Sequence, residues 1–311
     1  MSARQLLRVG LLFVAVLVLW GAAALARRRG VAGAGGDGFR LPPMGRNTVD
    51  SVVLSRPGDT VVLARKDTAT WTVNGHRAAP AAVAELFSAL GDTAPGSELI
   101  AERRRSHAAL GVDSAGTRVR VTGGGRPVAD LIVGQRGPTF SGSYVRRTDQ
   151  ESTYLIRGGL VDAVTRPIEE WRDHRIAAVP ADSVATVEIS RGSRRYTLRR
   201  AQSGWSLSSG GRVDSAGVAA LLAGYGTVDA SGFASTAEAS RAGFARPERR
   251  ARLLRRDGTP IVALLFDSTA TGFRVRSDTG TVVSLADGAA VERLTPAEST
   301  LRAPAAEART R

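Results

Sequence analysis

Val49-Asp50-Ser51-Val52-Val53-Leu54-Ser55-Arg56, a polar turn, Val61-Val62-Leu63, Trp71-Thr72-Val73 and the apolar stripe Val83, Leu86, Phe87, Leu90 form a unit that the chain states twice. The second statement runs Val184-Ala185-Thr186-Val187-Glu188-Ile189-Ser190-Arg191, Tyr196-Thr197-Leu198, Trp205-Ser206-Leu207, then Val218, Leu221, Leu222, Tyr225. Ser55-Arg56 maps to Ser190-Arg191 with an offset of 135, Trp71 to Trp205 with 134, and Val83 to Val218 with 135. A near-constant offset across three alternating strands and a helical stripe reads as an internal duplication.

Working outward, the echo continues. Leu110-Gly111 matches Ala242-Gly243 with offset 132, Arg118 to Val121 matches Arg250 to Leu253, and Val145-Arg146 matches Val275-Arg276 with offset 130. The offset shrinks because loops lose residues more readily than strands do. Turn signals punctuate the first copy: Pro57-Gly58-Asp59, Asn74-Gly75, and Gly123-Gly124-Gly125 between two alternating runs. Pro80 suits the first turn of the helix ending near Leu90. Mostly antiparallel strands with one main helix per copy give an α+β class: two tandem repeats, each a sheet with one main packed helix, behind an N-terminal transmembrane helix.

The expected organisation is a membrane anchor or signal-like segment over 1–29, a Gly/Pro-rich tether over 30–46, repeat one over 47–178, repeat two over 179–295 and a flexible tail over 296–311. Val9 to Ala26 contains no charge, and as a helix it measures about 27 Å, enough to span hydrocarbon. Ala24-Leu25-Ala26 also fits a signal-peptidase site after a basic start, so cleaved export competes with the anchor. Arg27-Arg28-Arg29 outnumber Arg4 and Arg8, which by a simple count would hold the C-terminal side in the cytoplasm. Folded domains translocate despite such flanks, and the reading adopted is a single-pass protein with its repeats outside the cytoplasm. Gly33 to Gly38 satisfies a G-x-G-x-x-G spacing but lacks the strand before it and the helix after it that dinucleotide binding requires.

The net charge is +14, and of 43 basic residues only Lys66 is a lysine. Arginine, alanine and glycine abound together, as in chains from GC-rich genomes. Contact with anionic lipid headgroups or nucleic acid is the other reading of that charge. Aromatics amount to only 5%, too few for base-stacking platforms, so no nucleic-acid partner is expected. There is no cysteine, which removes disulfides, thiolate nucleophiles and cysteine-ligated zinc.

The succession of strand, strand, Trp71-x-Val73, the helix Val83 to Leu90, Leu110-Gly111, Arg118-x-Arg120-Val121, Ile132-Val133-Gly134, Tyr144-Val145-Arg146 and Tyr154-Leu155-Ile156 resembles the bacterial domain of unknown function numbered 4340. The resemblance covers about residues 48 to 295. It implies one N-terminal membrane segment and proximity to auxiliary components of gliding-motility-type ABC transporters. It implies no catalytic residues, because the family offers none to carry over.

A search for chemistry gives little. His76, His107 and His174 are separated by 31 and 67 residues, far from metal-ligand spacing. No serine sits in a G-x-S-x-G elbow and no phosphate loop is present. No catalytic, cofactor-binding or metal residue is therefore named. The candidate contacts are Trp71 and Trp205, as core residues or a paired stacking platform, and the join between repeats. There Trp171 is expected to pack between the two copies. Glu170 and His174, four apart, are expected to share a helix face within an acidic cluster bridging them through Arg172 and Arg175. The functional expectation is a non-enzymatic envelope scaffold, accessory to an ABC-type transport or gliding-motility-like assembly and partnered by the bilayer through residues 9–26 and by an envelope protein such as a permease. The alternatives are an extracytoplasmic glycan- or peptide-binding module and, last, an unrecognised hydrolase.

Overall fold

A computed structural model describes residues 38–91, 97–138 and 142–303. The uncharged segment 9–26 lies outside them. No helix among the described residues is long and apolar enough to cross a membrane. The chain divides into two compact units, one ending at Arg172 and the other beginning at Asp173.

In the first unit, strands β1 (Ser51–Arg56), β2 (Asp59–Arg65), β3 (Trp71–Val73) and β4 (His76–Arg77) lead to helix α1 (Pro80–Gly91). Then follow β5 (Glu98–Ala101), α2 (His107–Leu110), β6 (Thr117–Gly123), β7 (Arg126–Arg136), β8 (Gly142–Arg147), β9 (Thr153–Arg157), α3 (Leu160–Thr165) and α4 (Ile168–Trp171). The strands lie in the order β4-β3-β2-β1-β6-β7-β8-β9-β5, and every pairing is antiparallel.

Alternation decides which face is buried. Val52 and Leu54 of β1 turn inward, as do Thr117, Val119 and Val121 of β6. Helix α1 lays Val83, Leu86, Phe87 and Leu90 into the same core. The β3–β4 turn uses Asn74 at φ 46 and Gly75 at φ 83, the pair of positive values that a tight hairpin needs. Asn74 also braces the neighbouring strand, its Oδ1 accepting from Val62 N at 2.7 Å and its Nδ2 donating to Thr60 O at 3.1 Å.

The second unit holds β10 (Arg175–Ala177), β11 (Thr186–Arg191), β12 (Arg194–Ala201), β13 (Gly204–Leu207), α5 (Ser215–Gly226), β14 (Val228–Asp229) and β15 (Gly232–Phe233). After these come α6 (Thr236–Ser240), β16 (Arg249–Leu254), β17 (Pro260–Ser268), β18 (Phe273–Ser277), β19 (Ser284–Ala286) and α7 (Gly288–Leu294). The main sheet runs β13-β12-β11-β16-β17-β18-β19-β15, and β10 pairs with β14 separately. Strand for strand this is the order of the first sheet from β3 to β5. Register agrees too: Arg65 faces Trp71 and Leu63 faces Val73, as Arg200 faces Trp205 and Leu198 faces Leu207.

The duplication extends further than the sequence reading allows. In the first unit Ala79 N donates to Trp171 O at 2.7 Å, and Ala78 bridges Arg172. In the second, Asp214 N donates to Leu301 O at 2.9 Å, and Val213 bridges Arg302. Thr165 Oγ1 donates to Val161 O and Thr295 Oγ1 to Val291 O, both at 2.7 Å. Each unit thus ends in a short helical turn that returns to the strand-like residues before its main helix and seals the core.

Four expectations change as a result. Trp171 is fully buried within the first unit's own core, as part of its closing turn, and is not a wedge between repeats. The segment from Pro296, expected to be loose, carries the 3₁₀ turn Glu298–Leu301 with Leu301 only 2% exposed in the second core. The tether reading fails from residue 39 onward: Phe39 is buried with its ring 5.8 Å from Tyr154, and Leu41 and Met44 pack beside it. The boundary expected at 178/179 falls instead at 172/173, because Arg175–Ala177 pairs with Val228–Asp229.

Trp71→Ala and Trp171→Ala should each cost the first unit about 3–5 kcal/mol, as expected for buried aromatics, read as a lower urea midpoint. Half-buried Trp205 should cost clearly less. Ending the chain at Thr295 removes Leu301 and should destabilise the second unit by about 2–5 kcal/mol. An unchanged midpoint would return that segment to a loose tail.

Candidate functional site

The tryptophans do not form a matched platform. Trp71 is 5% exposed and tilts against Phe87 with ring centroids 5.3 Å apart. Trp205 is half-buried, and the Arg200 guanidinium lies 5.0 Å from its ring centre. Trp171 is in the core, with the Arg166 guanidinium 5.4 Å from its ring. Glu170 is exposed on α4. That helix ends at Trp171 and Arg172 is extended, so the helical spacing expected between Glu170 and His174 does not form. His174 belongs to the second unit, its Nδ1 2.9 Å from Ala230 O and its ring edge-on to Phe233 at 4.8 Å. Of the expected cluster, Glu169 lies 3.6 Å from Arg172 within the first unit, and Arg175 pairs with Asp229 at 2.7 Å within the second. His76 is exposed on β4, whereas His107 is buried with Nε2 2.7 Å from Glu151 O. Among the described residues no group of three or more metal-ligating side chains assembles.

The feature that site-by-site reading misses is the outer face of each sheet. The strand period that sends Val119 and Val121 inward sends Arg118 and Arg120 outward. The same period in β16 buries Ala251 and Leu253 and turns Arg250 and Arg252 out. Arg146 of β8 and Arg276 of β18 extend the two rows at equivalent positions.

The copies then diverge. In the second unit Phe244, Leu265 and Val283 form a small apolar cluster, with the Arg276 guanidinium 4.7 Å from the Phe244 ring centre. Arg274 is neutralised by Asp267 at 2.7 Å, with both side chains mostly buried. In the first unit the corresponding region is a cleft of about 720 Å³. Ser55, Arg56 and Pro57 line it from the β1 end, Arg104 and His107 from the α2 segment, Asp113 and Ser114 from the following loop, and Arg118, Ile132 and Arg146 from the sheet. Gly111 ends α2 at φ 67, where Gln135 stands close enough to crowd any added Cβ.

The four cleft arginines are held differently. Arg56 donates to Asp59 from Nε and Nη2 at 3.1 and 2.7 Å, and to Arg166 O at 2.9 Å. Arg118 grips Asp130 through two bonds of 2.9 and 2.6 Å. That guanidinium is the main reason the Asp130 carboxyl sits below the ordinary carboxylate range. Arg146 has no carboxylate partner among the described residues and donates to the carbonyls of Val112, Arg147 and Gln150 at 3.1, 3.1 and 3.0 Å. Burial first, then the charge of Arg104, lower its pKa from the usual arginine value. Arg104 is exposed and makes no ion pair among the described residues.

The family model for the domain of unknown function DUF4340 matches residues 55–247, and the chain belongs to that family. The match runs from the end of β1 past α6, across the division between the units. No curated protein and no solved structure matches the chain.

The Arg118–Asp130 pair carries a pH signature. Asp130 has a lowered folded-state pKa, so its contribution is full above the unfolded value of about 3.9 and is lost as pH falls through the lowered folded value. Asp130→Asn should therefore reduce stability at pH 7, and the gap from the parent should close in acid below about pH 4. A gap independent of pH would assign the loss to packing.

Proposed function

We propose that the protein is a non-enzymatic, membrane-anchored scaffold outside the cytoplasm, an accessory to an ABC-type transport or gliding-motility-like assembly. In this reading residues 9–26 lie in the bilayer and the two units engage an envelope partner such as a permease. The observation that carries it is the repeated division of labour in the sheets. Each copy turns one sheet face to its own helices and keeps an arginine row on the other, Arg118 and Arg120 in the first and Arg250 and Arg252 in the second. Arginine is enriched at protein interfaces because its planar fork makes several directed bonds and its stem packs against apolar surface. The family membership and the uncharged N-terminal segment support the same reading.

The glycan-platform alternative loses its main support, because Trp71 is buried against Phe87 and has no face to offer a sugar ring.

Full-length protein should remain in the membrane after a carbonate wash, and a reporter fused after Arg311 should be active outside the cytoplasm. A mature form starting at Arg27 would replace the anchor with cleaved export. Affinity purification from solubilised membranes should recover a permease and an ATPase, and Arg120→Glu with Arg252→Glu should lower that recovery about tenfold or more. Recovery of neither component, or recovery indifferent to the double variant, counts against the arginine faces as the docking surface.

A further inference from the structure

We propose that the cleft of the first unit is a binding site for a phosphate-bearing ligand, with Arg104 and Arg146 as its principal anchors. This goes beyond the scaffold reading and does not depend on it.

The second unit carries the same arginine row and allows a position-by-position comparison. There, the equivalent arginines are neutralised or capped: Arg250 pairs with Asp278 at 2.7 Å, Arg252 with Glu188 at 2.9 Å, and Arg276 lies against Phe244. The first unit departs from this at two equivalent positions. Phe244 stands 132 residues after Val112, so the ring that covers Arg276 has only a valine counterpart beside Arg146. Thr236 stands 132 residues after Arg104, so a charge is present in the first copy where the second has a hydroxyl.

Arg104 and Arg146 line the same cleft, and among the described residues no carboxylate is hydrogen-bonded to either, so an anion between them would be favoured. The cleft admits one. Its volume of about 720 Å³ exceeds what a bare phosphate needs and suits a phosphate carried on a small organic body. Its charges are lopsided, with Arg56, Arg104, Arg118 and Arg146 facing Asp113 as the lining carboxylate. Asp113 is itself engaged, its Oδ1 accepting from Ala115 N at 3.0 Å. Guanidinium forks match the oxygens of a phosphoryl group through paired bonds. Ser55 and Ser114 also line it, and Ile132 and Pro57 add apolar lining for the remainder of the ligand. Arg146 is oriented in advance by its three carbonyl acceptors, so little freedom is lost when an anion arrives. The Arg104 side chain is exposed and makes no ion pair among the described residues, so it is the group able to close on it.

A phosphate can arrive on a soluble metabolite or on a lipid headgroup, and one experiment separates them. Full-length protein in a neutral detergent is titrated with pyrophosphate at constant ionic strength, and the unfolding temperature of the first unit is followed. In parallel, protein reconstituted in phosphatidylcholine vesicles is compared with protein in vesicles containing phosphatidylglycerol. The expected result is a saturable rise in unfolding temperature in one of the two arms. Arg104→Gln should weaken it about tenfold and Arg104→Lys should restore part of it, while Arg120→Gln should leave it intact. A response to pyrophosphate identifies a soluble ligand, and a response to phosphatidylglycerol alone identifies a headgroup. Because the Arg104 side chain is exposed and makes no ion pair among the described residues, its replacement should leave the fold in place. Equal weakening by Arg104→Gln and Arg120→Gln would mean diffuse charge attraction and overturn the site, as would no saturable response in either arm.

Discussion

The antiparallel register that locks β1 between β2 and β6 is the constraint on which the first unit rests, and β11 between β12 and β16 plays that part in the second. Val52 faces Leu63 and Val121, and Leu54 faces Val61 and Val119. Val187 faces Leu198 and Leu253, and Ile189 faces Tyr196 and Ala251. Side chains alternate with a period of two, so a slip of one residue would move these apolar rows to the outer face and bring arginines into the core. The arginine rows are thus the other half of the same alternation. A chain rich in arginine has few places to put it, and the uncovered side of a half-buried sheet is the natural one.

Closure imposes the second constraint. In both units a short turn brings the chain back to the start of the main helix and packs into the core there. Trp171 fills the gap in the first and Leu301 in the second, each tied by a backbone bond to the residue before the helix start. The larger plug's buried indole Nε1 has no hydrogen-bond partner among the described residues. Tyr225 stands deep in the second core with its hydroxyl donating to Leu294 O at 2.6 Å, and burial raises its pKa well above the ordinary range. Both side chains pack in the cores of their units.

How far the fold is legible in the sequence follows from the kind of signal each element carries. Strands with clean alternation, such as Ser51–Arg56 and Thr117–Gly123, and the helix Pro80–Gly91 announce themselves, and the Trp71–Trp205 offset carries the duplication. The closing turns are harder to see, because Ile168–Trp171 and Glu298–Leu301 have four residues each, too few to show any period. Comparing them also means setting a tryptophan against a leucine. Phe39 is missed for a different reason: a single aromatic in a stretch of glycine and proline looks like a linker, and only the partner ring of Tyr154 reveals its burial. Trp171 and the acidic residues around it invite an interdomain reading because they fall midway along the chain, yet position in sequence says nothing about which core a ring enters. The cleft is invisible at that level, since its lining comes from β1, α2, β6, β7 and β8, and no motif ties them together.

Duplication lets the two copies keep a framework and vary a surface, and the outer faces record that division. Arg118 and Arg250 occupy matched places, but their carboxylates come from different strands, Asp130 on β7 in one case and Asp278 just after β18 in the other. The ion pair is retained while its source moves, as expected where geometry matters and the lineage of the partner does not. Val112 and Phe244 follow the opposite logic. Both are buried, yet one leaves Arg146 facing an open cleft and the other lays a ring against Arg276. The difference in side-chain size goes with a ring-covered arginine in one copy and, in the other, one held by backbone carbonyls at the edge of a cleft. The inner faces cannot diverge in this way, because every residue there is held by register and packing. Difference in role between the two units must therefore reside on the outer faces, where the first unit sets Arg104 and Arg146 around its larger cleft.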